Sequence, residues 1–85
     1  MKLVFHPQAW DDYVAWQGTS EALSQRLGQL IEAIVADPHH GMGKPQALKD
    51  DLADFWSRRI TAEHRIVYRV ENDELLIAQC RQHDD

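Results

Sequence analysis

Lys49, Arg65 and His83 are residue types that can cut RNA without a metal ion. In RNA the ribose 2′-OH already lies beside the phosphorus, so no enzymic nucleophile is required. The protein must take the 2′ proton, stabilise the extra charge that builds on phosphorus, and protonate the departing 5′ oxygen. A guanidinium or ammonium group can do the second task. An imidazole near its ordinary pKa can do the first or the third.

These side chains need elements that bring them together. Arg65–Glu71 reads as a strand in which Arg65, Val67 and Arg69 face one way and Ile66, Tyr68 and Val70 the other. Leu75–His83 reads as the next strand, with Arg81 and His83 sharing a face, and Asn72-Asp73-Glu74 supplies the hairpin turn. Arg65 opens one strand and His83 closes the other, so antiparallel pairing places them at one end of the sheet. Phe55–Thr61, followed by the turn Ala62-Glu63-His64, reads as a third strand, which Lys49 approaches from the preceding segment.

Upstream, Lys2–Phe5 reads as a short strand, and Pro7 suits the first turn of a helix. From Gln8 to Gln17 the large side chains Trp10, Tyr13 and Val14 share one helical face. Gly18-Thr19-Ser20 breaks that helix and offers a hydroxyl cap to the next. Leu23, Leu27, Leu30, Ile31 and Ile34 form one apolar stripe, and Asp37-Pro38 stops the second helix. Residues 38–54, with their glycines and prolines, read as a long loop of the functional kind. The expected fold class is α+β: two N-terminal helices packed on a mainly antiparallel sheet, in the order strand, helix, helix, three-stranded meander.

The chain of 85 residues suits one domain over positions 1–85, and a 44% hydrophobic content supplies one core. A single cysteine, Cys80, precludes an internal disulfide and reads as a small buried hydrophobe. No apolar run approaches the ~20 residues of a membrane-spanning helix, and the opening residues do not resemble a signal peptide. The expected location is therefore cytoplasmic. Net charge is −5, yet residues 41–70 carry +2 and the rest −7, leaving room for a local basic site on an acidic body. His39-His40 has no cysteine or acidic partner at ligand spacing, so neither metal nor cofactor is expected. Trp10, Tyr13 and Trp56 read as packing residues, although aromatic rings of this kind also stack on bases.

Three runs carry a family signature: Gly43-Lys44-Pro45-Gln46-Ala47-Leu48-Lys49, Phe55-Trp56-Ser57-Arg58-Arg59-Ile60-Thr61 and Glu63-His64-Arg65-Ile66-Val67-Tyr68. With Trp10-Asp11-Asp12-Tyr13, Leu75-Leu76-Ile77-Ala78, Cys80-Arg81 and His83, they make the chain resemble the YoeB-type toxins of the RelE/ParE superfamily from end to end. The resemblance implies a microbial-ribonuclease-like sheet and a toxin of a type II toxin–antitoxin pair, one that cuts mRNA in the A site of the 70S ribosome. It also implies a YefM-like antitoxin and, through it, operator DNA; a homodimer is a further assembly open to such a chain. By the same resemblance Arg65 stabilises the phosphate and His83 is the general acid. Lys44, Lys49, Arg58, Arg59 and Glu63 are the candidate RNA contacts. Arg58 and Arg59 leave opposite faces of their strand, so one can grip phosphates while the other pairs with an Asp or Glu; surface pairing is the default for either.

Two positions depart from the family pattern. Gln46 stands where the family commonly has glutamate as general base, and an amide cannot take a proton as a carboxylate does. The family commonly ends His-Tyr, whereas His83 is followed by Asp84-Asp85. This removes a stacking ring and favours a protonated, proton-donating imidazole. These departures keep a second reading open, that of a catalytically impaired relative serving as a binding module for its antitoxin. A gyrase-directed toxin fits less well, because that branch generally lacks the Glu63-His64-Arg65 and His83 set.

Overall fold

The computed structural model describes residues 1–81. The elements are β1 (Lys2–Phe5), α1 (Pro7–Thr19), α2 (Glu21–Ala36), β2 (Gln46–Ala47), a 3-10 turn (Asp50–Leu52), β3 (Trp56–Arg59), β4 (Arg65–Glu71) and β5 (Glu74–Gln79). They form one five-stranded sheet in the order β1-β5-β4-β3-β2. Only β1 and β5 run parallel; the other pairs are antiparallel. The α+β class and the mainly antiparallel sheet match the expectation from sequence.

The helices form where the signals place them. Pro7 opens α1, and His6 Nδ1 accepts from the Gln8 amide. Ser20 ends α1 and begins α2. Its amide donates to Trp16 O at 3.1 Å, while its Oγ accepts from the Leu23 amide at 3.2 Å. Of the α2 stripe, Leu27, Leu30 and Ile34 are fully buried, with Leu23 and Ile31 packed beside them. They meet Ile66, Tyr68, Leu75 and Ile77 on one face of the sheet. Among the described residues, the other face of the sheet carries no helix.

Helix α1 buries a different face from the one expected. Ala9, Asp12 and Trp16 turn inward, whereas Trp10 and Val14 are half-exposed. The reason lies at the end of β5. Cys80 Sγ donates to Ala9 O at 3.4 Å, and Trp16 Nε1 donates to Cys80 O at 2.8 Å. Such close approach of helix and strand needs the small Ala9 at the contact. Trp10 instead stacks on Tyr13, with centroids 5.7 Å apart, and meets Phe5 edge-on.

The strands also depart from their expected limits. Residues 38–54 are not all loop: Gln46–Ala47 adds a fourth antiparallel strand by pairing with Ser57 and Trp56. Strand β3 is shorter than Phe55–Thr61, because the turn closes early. The amides of Glu63 and His64 donate to Thr61 Oγ1, and those of Ile60 and Thr61 to His64 O. Strand β5 ends at Gln79, after a bulge in which Val67 pairs with Gln79 and Tyr68 with Ile77, leaving Ala78 unpaired. The β4–β5 turn is tighter than Asn72-Asp73-Glu74: Glu74 pairs with Glu71, and Asn72 and Asp73, both at positive φ, make a two-residue hairpin.

Candidate functional site

The helix-free face of the sheet gathers the basic side chains. Arg65, Val67 and Arg69 lie on it, alternating with the buried Ile66 and Tyr68. Arg59 of β3 is directly opposite Arg65 of β4, so the two side chains leave the sheet on the same side. Two rungs away on the same face stand Gln46, Ser57, Val67 and Gln79, each paired with the next across the sheet. A cavity of about 310 Å³ opens there, lined by Ala62, Glu63, Arg65, Val67 and Gln79.

The electrostatics of this face are uneven. Arg69 is matched by Glu71 at 3.3 Å, and Lys2 by Glu74 at 3.9 Å. Arg59 and Arg65 have no acidic partner among the described residues, and neither do Lys44 and Lys49. Like charges placed directly opposite across two strands are unfavourable unless an anion lies between them. Exposed Glu63 rims the cavity without bonding either arginine.

The expected cluster of Lys49, Arg65 and His83 is only partly assembled among these residues. Strand β2 runs antiparallel to β3, with Gln46 opposite Ser57 and the Leu48 amide bonded to Phe55 O. The chain thus carries Lys49 past the far end of β3, away from Arg65. Lys44 instead follows Gly43, whose carbonyl accepts from the Arg59 amide at 2.6 Å, at the Arg59–Arg65 end. Gln46 lies exposed between these positions on the open face. His83 lies outside the described residues, as do Asp84 and Asp85.

Arg58 corrects the sequence reading. It is fully buried, so it presents no charge to RNA. Its Nε donates to Tyr68 Oη at 3.1 Å, its Nη1 to Met42 O at 3.2 Å and its Nη2 to His40 O at 2.9 Å and to Asp37 O. Tyr68 Oη in turn donates to Pro38 O at 2.6 Å. Burial raises the pKa of the Tyr68 phenol, and the Arg58 guanidinium offsets part of that rise. Strand alternation could not separate Arg58 from Arg59 by role; only the side turned toward α2 does.

Other residues settle into structural positions. Cys80 is buried, and burial, with Asp12 adding to it, pushes its thiol up to about 12. His39 stacks on Trp56, with centroids 4.4 Å apart, and His40 Nδ1 pairs with Asp37 at 3.2 Å. The His39 amide and the His40 ring hold the Asp37 carboxyl below its ordinary range. One residue of the open face escaped the sequence reading. Ser57 is 1% exposed, and its Oγ has no hydrogen-bond partner among the described residues. A serine inside a strand gives no sequence signal for such a position.

Comparison with known proteins identifies the family and the fold. The family described as YoeB-like toxin of bacterial type II toxin-antitoxin system matches residues 5–84. The chain belongs to the YoeB toxin family. It is 49% identical to Toxin YoeB of Escherichia coli K12 over 83 residues, covering 98% of this chain and 99% of that protein. The YoeB/ParE toxin from Agrobacterium tumefaciens superposes with a TM-score of 0.95 at 48% identity, covering 99% of this chain and 100% of that one. A structure described as a YoeB-YefM complex from Staphylococcus aureus follows at TM-score 0.93 and 35% identity, covering 99% and 98% of the two chains. The chain is thus a toxin of the type II toxin–antitoxin class. No helix among the described residues is long and apolar enough to cross a membrane.

Proposed function

We propose that this toxin is a ribosome-dependent mRNA endoribonuclease that cleaves by attack of the 2′-OH on the adjacent phosphorus. The observation that carries this reading is the Arg59–Arg65 pair, without an acidic partner among the described residues and directly opposed on an open face beside a cavity. A phosphodiester between the two guanidinium groups relieves their repulsion, and charge building on its oxygens in the transition state strengthens both contacts. Arg65 stabilises that charge. Lys44 and Arg59 hold the flanking phosphates, and Lys49 contributes from the far end of β3. His83, assigned by the family resemblance, protonates the departing 5′ oxygen. Gln46 accepts a hydrogen bond from the 2′-OH and orients it; an amide does not take the proton, which passes to a water molecule as the 2′ oxygen bonds to phosphorus and the 5′ oxygen leaves.

Burial confines Arg58 to support of the loop, so the RNA contacts fall to Arg59, Lys44, Lys49 and Glu63. With a net charge of −5, the toxin has little field with which to capture free RNA. The ribosome therefore supplies substrate positioning. A YefM-like antitoxin is the natural partner, given the complex formed by the S. aureus relative. Covering the open face would silence the site.

Gln46 favours one alternative, an impaired toxin that serves mainly to engage its antitoxin. Cleavage of mRNA on purified ribosomes separates the two. The native protein is expected to cut, and Gln46→Glu to cut about 10²–10⁴-fold faster, as a restored general base would. A native protein without activity, with activity appearing in Gln46→Glu, supports the alternative. Inactivity of both proteins overturns the enzymatic reading.

A further inference from the structure

We infer that Arg58 is a positioning residue for the cleavage site: it fixes the segment that carries Lys44 and Gln46, and acts on the reaction only through them. This rests on the endoribonuclease reading above. Arg58 is buried among carbonyl oxygens, with no carboxylate hydrogen-bonded to it among the described residues. It gathers the carbonyls of Asp37, His40 and Met42, and Tyr68 takes that of Pro38. Four backbone positions of one loop thus converge on a single guanidinium–phenol pair.

The glycines of this loop are shaped to the same centre. Gly41 sits at φ +121°, and a Cβ there would lie 3.2 Å from Arg58 Nη1. Gly43 sits at φ +86°, and a Cβ there would lie 2.7 Å from Leu30 Cδ2 and 3.0 Å from Arg58 Cβ. Gly43 O then accepts from the Arg59 amide, Lys44 follows at φ +54°, and Gln46 joins the sheet opposite Ser57. The path from the buried guanidinium to Gln46 is therefore short and continuously bonded. Arg58 and Arg59 divide the labour: one faces inward and holds the loop, while the next faces outward toward substrate.

Lysine at position 58 keeps the charge, but its single ammonium cannot span the hydroxyl and three carbonyls that the planar fork reaches. The test compares native protein, Arg58→Lys, Gln46→Glu and the double variant in single-turnover mRNA cleavage on saturating ribosomes. Amide exchange is followed over residues 46–48 and in β4. The inference expects exchange in Arg58→Lys to quicken at 46–48 but not in β4, with ribosome affinity unchanged. It expects the cleavage rate to fall by up to about 10²-fold, the cost of roughly 1 Å of misplacement. The loss should be larger in the Gln46→Glu background, where a proton-accepting carboxylate is displaced. Equal losses in both backgrounds, or unchanged exchange at 46–48, would overturn the inference. If Gln46→Glu cleaves and the double variant cleaves equally well, the inference fails while the functional reading stands. If neither native protein nor Gln46→Glu cleaves, the functional reading fails, and the catalytic claim for Arg58 falls with it.

Discussion

Arg65→Ala should nearly abolish cleavage while leaving the stability of the fold almost unchanged. Arg65 is half-buried, and its side chain has no hydrogen bond or ion pair among the described residues; its cross-strand neighbour is Arg59. Opposed Cβ atoms stand roughly 5 Å apart. Guanidinium groups splayed to ~7 Å repel by about 0.6 kcal/mol in water-like surroundings. Physiological salt, with a Debye length of ~8 Å, takes away about half of that. Against this relief stands the partial burial of the arginine's aliphatic stem, worth a similar amount. The net change in unfolding free energy should therefore stay within about 0.5 kcal/mol of zero, and shift toward stabilisation at low salt. On the ribosome, losing a donor to the developing charge should cost about 10²–10³-fold in rate. Urea denaturation at low and high salt, beside single-turnover cleavage, measures both. Ile66→Ala, one residue away but fully buried, provides the contrast, at a cost of roughly 2–5 kcal/mol. A loss above about 1 kcal/mol in Arg65→Ala would show that Arg65 holds the fold together, refuting the electrostatic argument. Undiminished cleavage would refute its role in the reaction.

Two further outcomes follow from the packing. Gly43→Ala should destabilise the protein by about 1–3 kcal/mol, through positive φ and the clash with Leu30 and Arg58, and a thermal melt would register it; an unaltered melting temperature would mean the loop relaxes freely. Cys80 should resist alkylation at pH 8 in the folded protein and react readily in denaturant. Because its folded-state pKa of about 12 exceeds the ordinary 9.0, the unfolded chain ionises first. Stability is therefore fully present below pH 9 and declines as pH rises toward 12. An alkaline titration of stability checks the sign, since a rise in stability across that window would contradict the burial.

The sequence by itself determined most of the architecture, because its signals are local. Ser20 declares a helix boundary through its own hydroxyl, the Leu27–Leu30–Ile34 spacing declares a face, and Asn72-Asp73-Glu74 declares a turn, which the structure tightens to two residues. Alternation along Arg65–Glu71 likewise separated the open face from the core one residue at a time. Family resemblance added the functional class and the roles of residues that no period can assign. What the sequence left open depends on contacts between distant segments. The inward turn of α1 on Ala9 and Trp16 follows from bonds to Cys80, more than sixty residues away in the chain. The addition of β2 follows from pairing with β3 across the loop, and the same register moves Lys49 away from Arg65 and brings Lys44 near. Adjacent arginines show the limit most clearly. Arg58 and Arg59 are identical in type and differ only in the side of the strand they leave, so the tertiary structure alone decided that one is buried among carbonyls and the other is exposed beside Arg65. A side chain's role depends on the surroundings into which the fold turns it, and those surroundings come from segments far away in the sequence.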